Sequence, residues 1–334
     1  MNRLRPLAMG ELLDRSVTFW RAHWKPLFWL MVGFQLVELI ALKLMQVALK
    51  NWFPAMTGPG ALDLARKAPE QLLPQAAGAT ALMLTIGFFV LFISELSGVA
   101  ASHYGWQRVI GAGEPTAGDS FRHAAQRLLP TLGAFALSVA WSAVMLVVFL
   151  IPALVLGGLA AFFVTRDQPS LATLFAALAG LAFILGTVVL VLWFIIRFAL
   201  LGQILAIEDV GAWRAFRRAD ELSSGRVLAG FMGLVKVRLT VLITVMGGVL
   251  LLMSAVATIP TLIVGIIYGA GFTPGHTLDD VVPALVLVPL ELVQTILGSI
   301  VAPLYVAFQL SFYGDMRMRR EGLDLELSLG AKRS

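Results

Sequence analysis

Four ionisable residues lie inside long apolar stretches of this chain, where a charge is costly. They are Glu38, Glu95, Arg197 and Glu291. A charged side chain at the centre of a bilayer costs at least about 2.5–3.5 kcal/mol on insertion scales, so such residues are candidates for function. Arg197 needs either a carboxylate partner, for which Glu95 is the candidate, or access to lipid headgroups. We favour structural pairing or snorkelling over a path for an ion or substrate.

No catalytic or metal-binding pattern accompanies these four residues. The histidines are His23, His103, His123 and His276. They are scattered, and none has the spacing of a zinc site such as H-E-x-x-H. Because cysteine is absent, disulfides, thiolate metal sites and cysteine nucleophiles are excluded. We expect no metal, no cofactor and no catalytic residue. The weakest alternative is an intramembrane lipid-modifying enzyme in which Glu95 acts with His103 or Asp119.

The elements that must position these residues are six long apolar stretches. Hydrophobic residues make up 59% of the chain and charged residues 13%, whereas soluble domains hold about 45–50% and about 25%. A helix needs about 20 apolar residues to cross the hydrocarbon, and unbroken runs argue against a transmembrane barrel. The predicted crossings are residues 26–48, 75–101, 129–163, 171–205, 238–271 and 281–312. The sequence therefore predicts an all-α polytopic membrane protein with six transmembrane helices.

The basic residues are concentrated at one edge of the predicted crossings. Nineteen of the 25 Lys and Arg residues lie before the first crossing or after the second, fourth and sixth, and five lie at the opposite edges. By the positive-inside rule, both termini are predicted to be cytoplasmic. Because the basic residues follow the membrane edges, they indicate contact with lipid headgroups and no binding of nucleic acid.

The fifth crossing admits two interpretations, because residues 241–272 are almost uninterrupted apolar sequence with Pro260 inside. They could form one kinked helix or two short helices. Two helices would place the arginine-rich C-terminus on the side opposite to the one that the charge distribution predicts. We therefore predict one kinked helix.

A unit of similar organisation occurs three times along the chain. In each, a glycine begins a short amphipathic basic segment, which precedes a pair of crossings; the segments are residues 10–24, 118–130 and 211–222. Residues 151–157 in the second unit also match residues 259–265 in the third. The sequence predicts a single membrane domain over 1–334, with hairpin repeats at about 8–101, 114–206 and 207–315. Residues 316–334 are predicted to form a cytoplasmic tail.

The three amphipathic segments are predicted to be helices at the cytoplasmic interface, with apolar faces toward lipid and arginines at anionic headgroups. Simple anchoring or packing against the protein core is the alternative. The candidate headgroup-binding residues are Arg15, Arg21, Arg122, Arg127, Arg214, Arg217 and Arg218. A further short amphipathic helix is predicted over residues 61–73 on the outer side.

Three motifs resemble those of a bacterial membrane-protein family. They are RPLAMGELLDRS from Arg5, IEDVGAWRAFRRADELSSG from Ile207 and FYGDMRMRREGLDLE from Phe312. They are similar to motifs of the glycerophosphoryl diester phosphodiesterase membrane domain family, and the resemblance covers nearly the whole chain. It implies a bacterial origin and this topology. It does not imply the phosphodiesterase activity, because that activity needs a soluble barrel of about 250 residues, for which this chain has no space.

These observations predict a non-catalytic protein of the bacterial inner (cytoplasmic) membrane. Its expected role is that of a scaffold or accessory subunit that binds membrane lipids and other membrane proteins. A transporter or channel for a small molecule or lipid is the first alternative, and it requires Glu95, Arg197 and Glu291 to line one water-accessible cavity. The ligand, the partner proteins and the oligomeric state do not follow from the sequence.

Overall fold

The computed structural model describes residues 7–53, 69–111, 113–227, 229–269 and 281–322. Within these ranges the chain is helical, apart from loops and one isolated bridge between Arg226 and Leu234. The helices are α1 Met9–Trp52, α2 Pro69–Ile110, α3 Ala117–Gln126, α4 Leu128–Thr165, α5 Pro169–Phe198, α6 Leu201–Ile207, α7 Ala212–Ser223, α8 Val235–Ile267 and α9 Ala284–Glu321. His276 and residues 323–334 of the predicted tail lie outside the described residues.

Six stretches of this structure are long and apolar enough to cross a membrane. They are Met9–Trp52, Leu73–Ile110, Leu128–Thr165, Pro169–Ile207, Val235–Ile267 and Ala284–Glu321. Large apolar side chains such as Leu129, Leu251 and Leu285 are exposed on them. Such surfaces suit lipid, in which a helix satisfies its own backbone hydrogen bonds. The prediction of an all-α polytopic membrane protein is confirmed.

The first amphipathic segment and the first crossing are two helices that meet at a kink within α1. Helix α1 begins at Met9, and at His23 its backbone leaves helical geometry (φ −124°, ψ 17°). Pro26 accounts for this break, because its ring removes the hydrogen bond to the carbonyl of Ala22 and crowds that turn. The kink thus lies near the end of the predicted segment of residues 10–24.

Helix α8 settles the question of the fifth crossing for the residues that are described. It runs without interruption from Val235 to Ile267 with Pro260 inside it, so the prediction of one helix is confirmed. Residues 270–272 of the predicted crossing lie outside the described part. So do residues 61–68 of the predicted outer helix, whereas residues 69–73 belong to α2.

The chain divides into two compact units. The first contains the described residues of Met1–Leu128 and Thr244–Asp315, and in it α1, α2 and α3 pack against one another. The second contains those of Leu129–Ile243 and Met316–Ser334, and in it α7 packs against α5 and α6. The three predicted repeats have different boundaries, and they stay a prediction.

Polar side chains join α1 to α9 in the first unit. Ser16 Oγ donates to the carbonyl of Leu12 at 2.7 Å and lies 2.8 Å from Ser311 Oγ. Trp20 Nε1 donates to the carbonyl of Ile300 at 2.9 Å, three residues before Pro303. The indole thus links α1 to a backbone carbonyl of α9 one turn before Pro303.

Candidate functional site

Arg197, near the C-terminal end of α5, lies among aromatic rings and forms an ion pair with one carboxylate. Its Nη2 donates to Oδ2 of Asp220 on α7 at 2.9 Å. Its Cζ lies 3.9 Å from the ring centroid of Trp141 and 5.1 Å from that of Trp193. A guanidinium is planar and weakly hydrated, so it is stabilised by aromatic faces as well as by the carboxylate. The side chain retains 19% of its exposure, and its charge is neutralised inside the second unit.

Asp220 supplies the counter-charge for which Glu95 was the candidate. The sequence placed Asp220 on a surface amphipathic segment and gave no sign that this segment would pack against α5. The packing is anchored by Ser223, whose Oγ donates to the carbonyl of Arg197 at 3.1 Å. Phe216 strengthens it by stacking on Phe198, with ring centroids 5.3 Å apart.

Glu291 is also paired, in the first unit. Its Oε1 lies 2.5 Å from Nζ of Lys43 on α1, and the two side chains are 19% and 30% exposed. Lys43 was counted in the sequence only as one of the few basic residues at the outer edge. The two residues are far apart in the chain, so only the packing of α1 beside α9 could reveal the pair.

The Lys43–Glu291 pair predicts a measurable loss of stability. Replacing Glu291 by Gln leaves a partly buried ammonium without its carboxylate. We expect the free energy of unfolding to fall by about 1–2 kcal/mol, between the values typical of exposed and of buried pairs. Thermal unfolding of the purified protein in detergent measures the change.

The double variant Lys43→Met with Glu291→Gln is the control for this pair, because it removes both charges. It should recover most of the loss, whereas equal losses in the single and double variants would contradict a stabilising ion pair.

Glu38 and Glu95 are half-buried on α1 and α2. Glu95 interacts electrostatically with Tyr305 on α9, and Tyr305 is hydrogen-bonded to the side chain of Gln309. The structure therefore places Glu95 near Tyr305 within the first unit.

The predicted headgroup-binding arginines differ in their exposure. Four of them are exposed, namely Arg21, Arg122, Arg214 and Arg217, and two are half-buried, namely Arg15 and Arg127. Exposed aromatic side chains lie near the exposed arginines in sequence; they are Trp24, Trp29, Phe121 and Trp213. Aromatic rings and arginines together are typical of the membrane–water interface.

Helix α7 orients its faces differently from the prediction. Its apolar side chains do not point toward lipid, because Phe216, Ala219 and Leu222 are buried against the protein. The opposite face carries Arg214 and Arg217, both exposed, with Trp213 at 59% exposure. The physical reason is that the apolar face of α7 is used to pack on α5 and α6. The exposed face, with Arg214, Arg217 and Trp213, is the one that can contact the membrane–water interface.

Arg218 is not available to headgroups as predicted, because carboxylates of the second unit surround it. Its Nε lies 3.4 Å from Glu208, and its Nη2 contacts Glu321 at the end of α9. Glu321 also accepts from Arg317 Nε at 2.8 Å. Arg218 therefore joins α7 to the last turn of α9.

The histidines form contacts of their own in the first unit. The rings of His103 and His123 stack with centroids 4.0 Å apart, and His103 Nδ1 lies 3.3 Å from Ser120 Oγ. His23 meets the edge of Tyr104, with centroids 6.2 Å apart. Among the described residues, no group of three or more His, Asp or Glu side chains could hold a metal ion.

Asp119 takes part in capping the N-terminus of α3. Its Oδ2 accepts hydrogen bonds from Thr116 N at 3.0 Å and Thr116 Oγ1 at 2.7 Å, while Asp119 N donates to Thr116 Oγ1. This capping box satisfies backbone groups of the first turn. The bonds from Thr116 hold the pKa of the Asp119 carboxyl below its usual range, so this exposed group is suited to capping and not to proton donation.

No protein-family model, curated protein or solved structure matches this chain. The resemblance of its motifs to the glycerophosphoryl diester phosphodiesterase membrane domain family therefore stays a prediction.

Proposed function

We propose that this chain is a non-catalytic integral membrane protein that binds anionic lipid headgroups and serves as a scaffold or accessory subunit for other membrane proteins. The observation that carries the proposal is the outer face of α7. Arg214 and Arg217 are one helical turn apart and exposed beside Trp213, while the opposite face is buried. A basic surface held rigidly in this way suits an anionic leaflet, because each Lys or Arg near such a surface contributes about 1 kcal/mol.

The pairing of ionisable residues supports this role over transport. A transporter was expected to line a cavity with Glu95, Arg197 and Glu291. Arg197 is neutralised by Asp220, and Glu291 by Lys43. Two of the three residues that a transport path was expected to need are therefore engaged in ion pairs that hold helices together.

The proposed location is the bacterial inner membrane, with both termini and the basic segments in the cytoplasm. This orientation follows from the distribution of Lys and Arg along the sequence. It brings Arg21, Arg122, Arg214 and Arg217 to the leaflet whose surface potential is negative.

The proposed repeats have support in the second and third helix pairs. In α4, the carbonyl of Phe149 lies three residues before Pro152 and closely approaches Gly186 on α5. In α8, the carbonyl of Ala257 lies three residues before Pro260 and accepts from Gln294 on α9 at 3.3 Å. Gly186 follows Pro152 at the same distance along the chain as Gln294 follows Pro260. A shared spacing between the proline and the residue that meets the carbonyl before it is what a common hairpin design predicts.

The proposed family relationship has a physical basis in the first and last motifs. Leu7 N in the first motif donates to Oδ1 of Asp315 in the last at 2.8 Å, and Asp315 is fully buried. A buried carboxylate needs such donors. The two motifs therefore make one structural feature, which accounts for their occurrence together.

Neutralising the outer face of α7 tests the proposed function. Replacing Arg214 and Arg217 by Gln together should weaken binding of phosphatidylglycerol by about 30-fold, since about 2 kcal/mol is lost. Binding of phosphatidylcholine should not change. Native mass spectrometry of the detergent-solubilised protein, titrated with each lipid, measures both affinities.

Arg166→Gln is the matched control, because Arg166 is exposed at the predicted outer edge. It should leave the affinity for phosphatidylglycerol within about twofold of the wild type. Equal weakening by Arg166→Gln, or equal affinity of the wild type for the two lipids, would contradict the proposal.

A further inference from the structure

A cleft of about 480 Å³ lies between the middle of α8 and the middle of α9, within the first unit. Its walls are mainly apolar, with Leu250, Met253 and Val256 from α8 and Leu297, Ile300 and Val301 from α9. Ligand sites commonly have this size and lining and occur between the helices of bundles. The feature is separate from the arginines and ion pairs described above.

Most polar side chains in the walls already have partners in the protein. Gln294 Nε2 donates to the carbonyl of Ala257 at 3.3 Å and to Thr261 Oγ1 at 2.5 Å. Thr258 Oγ1 donates to the carbonyl of Ala255 at 2.9 Å, and Tyr305 is bonded to Gln309. A cleft whose polar groups are satisfied in this way offers mainly methyl and methylene surface, which favours hydrocarbon over water or a charged group.

The volume and position of the cleft select among apolar occupants. A helix of about 10 Å diameter fills about 420 Å³ in each 5.4 Å turn. The wall from Leu250 to Thr258 extends over about two turns, so a partner's transmembrane helix would need roughly 850 Å³ and is too large for the cleft. A hydrocarbon chain is slender enough to enter. Met253 and Val256 in the wall are exposed at the surface of the spanning helix, so the cleft opens toward the bilayer. The bilayer supplies phospholipid chains at this depth.

We infer that this cleft binds one acyl chain of a phospholipid. The phospholipid is held by its chain at mid-membrane, whereas the arginines of the proposed function act on headgroups. A free fatty acid carries the same kind of chain, and we assign the site to phospholipid because phospholipid is what the surrounding bilayer consists of.

Photo-crosslinking tests the inference directly. The full-length protein is reconstituted in phosphatidylcholine and phosphatidylglycerol vesicles that contain a phosphatidylcholine with a diazirine at the middle of one acyl chain. After illumination, mass spectrometry of the digested protein maps the labelled residues. We expect residues 250–258 and 294–305 to be labelled at least fivefold more than the lipid-exposed residues 181–192 of α5, and excess unlabelled phosphatidylcholine to compete.

Two alanines that are two residues apart on α8 provide the variant and its control. Ala257 lines the cleft and Ala255 does not, although the two are of the same type on one helix. Ala257→Phe should fill the cleft and reduce labelling to the level of α5, whereas Ala255→Phe should leave it unchanged. Ala302→Phe fills the cleft from the opposite wall and serves if Ala257→Phe does not fold.

Each remaining outcome would overturn the inference. Even labelling of all exposed helices would show that only lipid of the surrounding bilayer is being labelled. Labelling that both cleft-filling variants leave unchanged would show the same. Competition by palmitate at concentrations where phosphatidylcholine has no effect would indicate a fatty-acid site. The variant with Arg214 and Arg217 replaced by Gln should label normally, so the headgroup proposal and this one can fail separately.

Discussion

Replacing Arg197 by Met will lower the free energy of unfolding by about 2–4 kcal/mol. The variant loses the stacking of the guanidinium on Trp141, where Cζ lies 3.9 Å from the ring centroid, and its contact with Trp193. It also leaves Asp220 without its counter-charge, although Asp220 is exposed enough to be partly solvated. Thermal or denaturant-induced unfolding in detergent measures the loss.

Two further variants separate the contributions to this cluster. Arg197→Lys retains the charge but not the planar stacking group, so it should lose about half as much stability. Asp220→Asn removes only the carboxylate and should cost about 1 kcal/mol. If Arg197→Met is as stable as the wild type, Arg197 does not hold α5 to α7, and its charge becomes available for another role.

Replacing Gly186 by Ala will lower the free energy of unfolding by about 1–3 kcal/mol. A Cβ on Gly186 would lie 2.7 Å from the carbonyl oxygen of Phe149, which is closer than such atoms approach in proteins. Because the obstacle is backbone, α4 and α5 must move apart and lose packing around it.

Gly180→Ala is the matched control on the same helix. A Cβ there meets nothing within 4 Å, so the substitution should be neutral or raise the free energy of unfolding by up to about 1 kcal/mol. Comparing the free energies of unfolding of the two variants separates the effect of the clash at Gly186 from the general effect of replacing a glycine. Equal stabilities for the two variants would show that α4 and α5 do not approach closely at Gly186.

The spanning helices were predictable because burial in lipid imposes a strong compositional signal. Six apolar runs correspond to six spanning stretches, and the described residues around Pro260 form one helix as predicted. Helix ends were less predictable. The kink at His23 depends on how the turn before Pro26 relaxes, and composition alone does not tell a kinked helix from a helix followed by a loop.

The partners of the ionisable residues could not be read from the sequence. Asp220 lies beside Arg197 only because α7 packs on α5, and Lys43 meets Glu291 only because α1 runs beside α9. The engagement of Arg218 with Glu321 depends in the same way on tertiary packing. The residue types showed which charged side chains needed a partner. Which carboxylate pairs with which basic side chain depends on the three-dimensional packing of the helices.

The proposed headgroup binding requires that the basic segments all reach the same side of the membrane. The chain contains no cysteine, so single cysteines can report sidedness without background. Exposed positions are available on the basic segments at Ala22, Ala125 and Gly211, and on the predicted outer edge at Gln168. Each is replaced by Cys in turn and treated with a membrane-impermeant maleimide in right-side-out and inverted vesicles.

We expect the cysteines at positions 22, 125 and 211 to react in inverted vesicles and the one at 168 to react in right-side-out vesicles. Reaction of any of the first three on the same side as position 168 would contradict the proposed arrangement, because that basic segment could not meet the cytoplasmic leaflet.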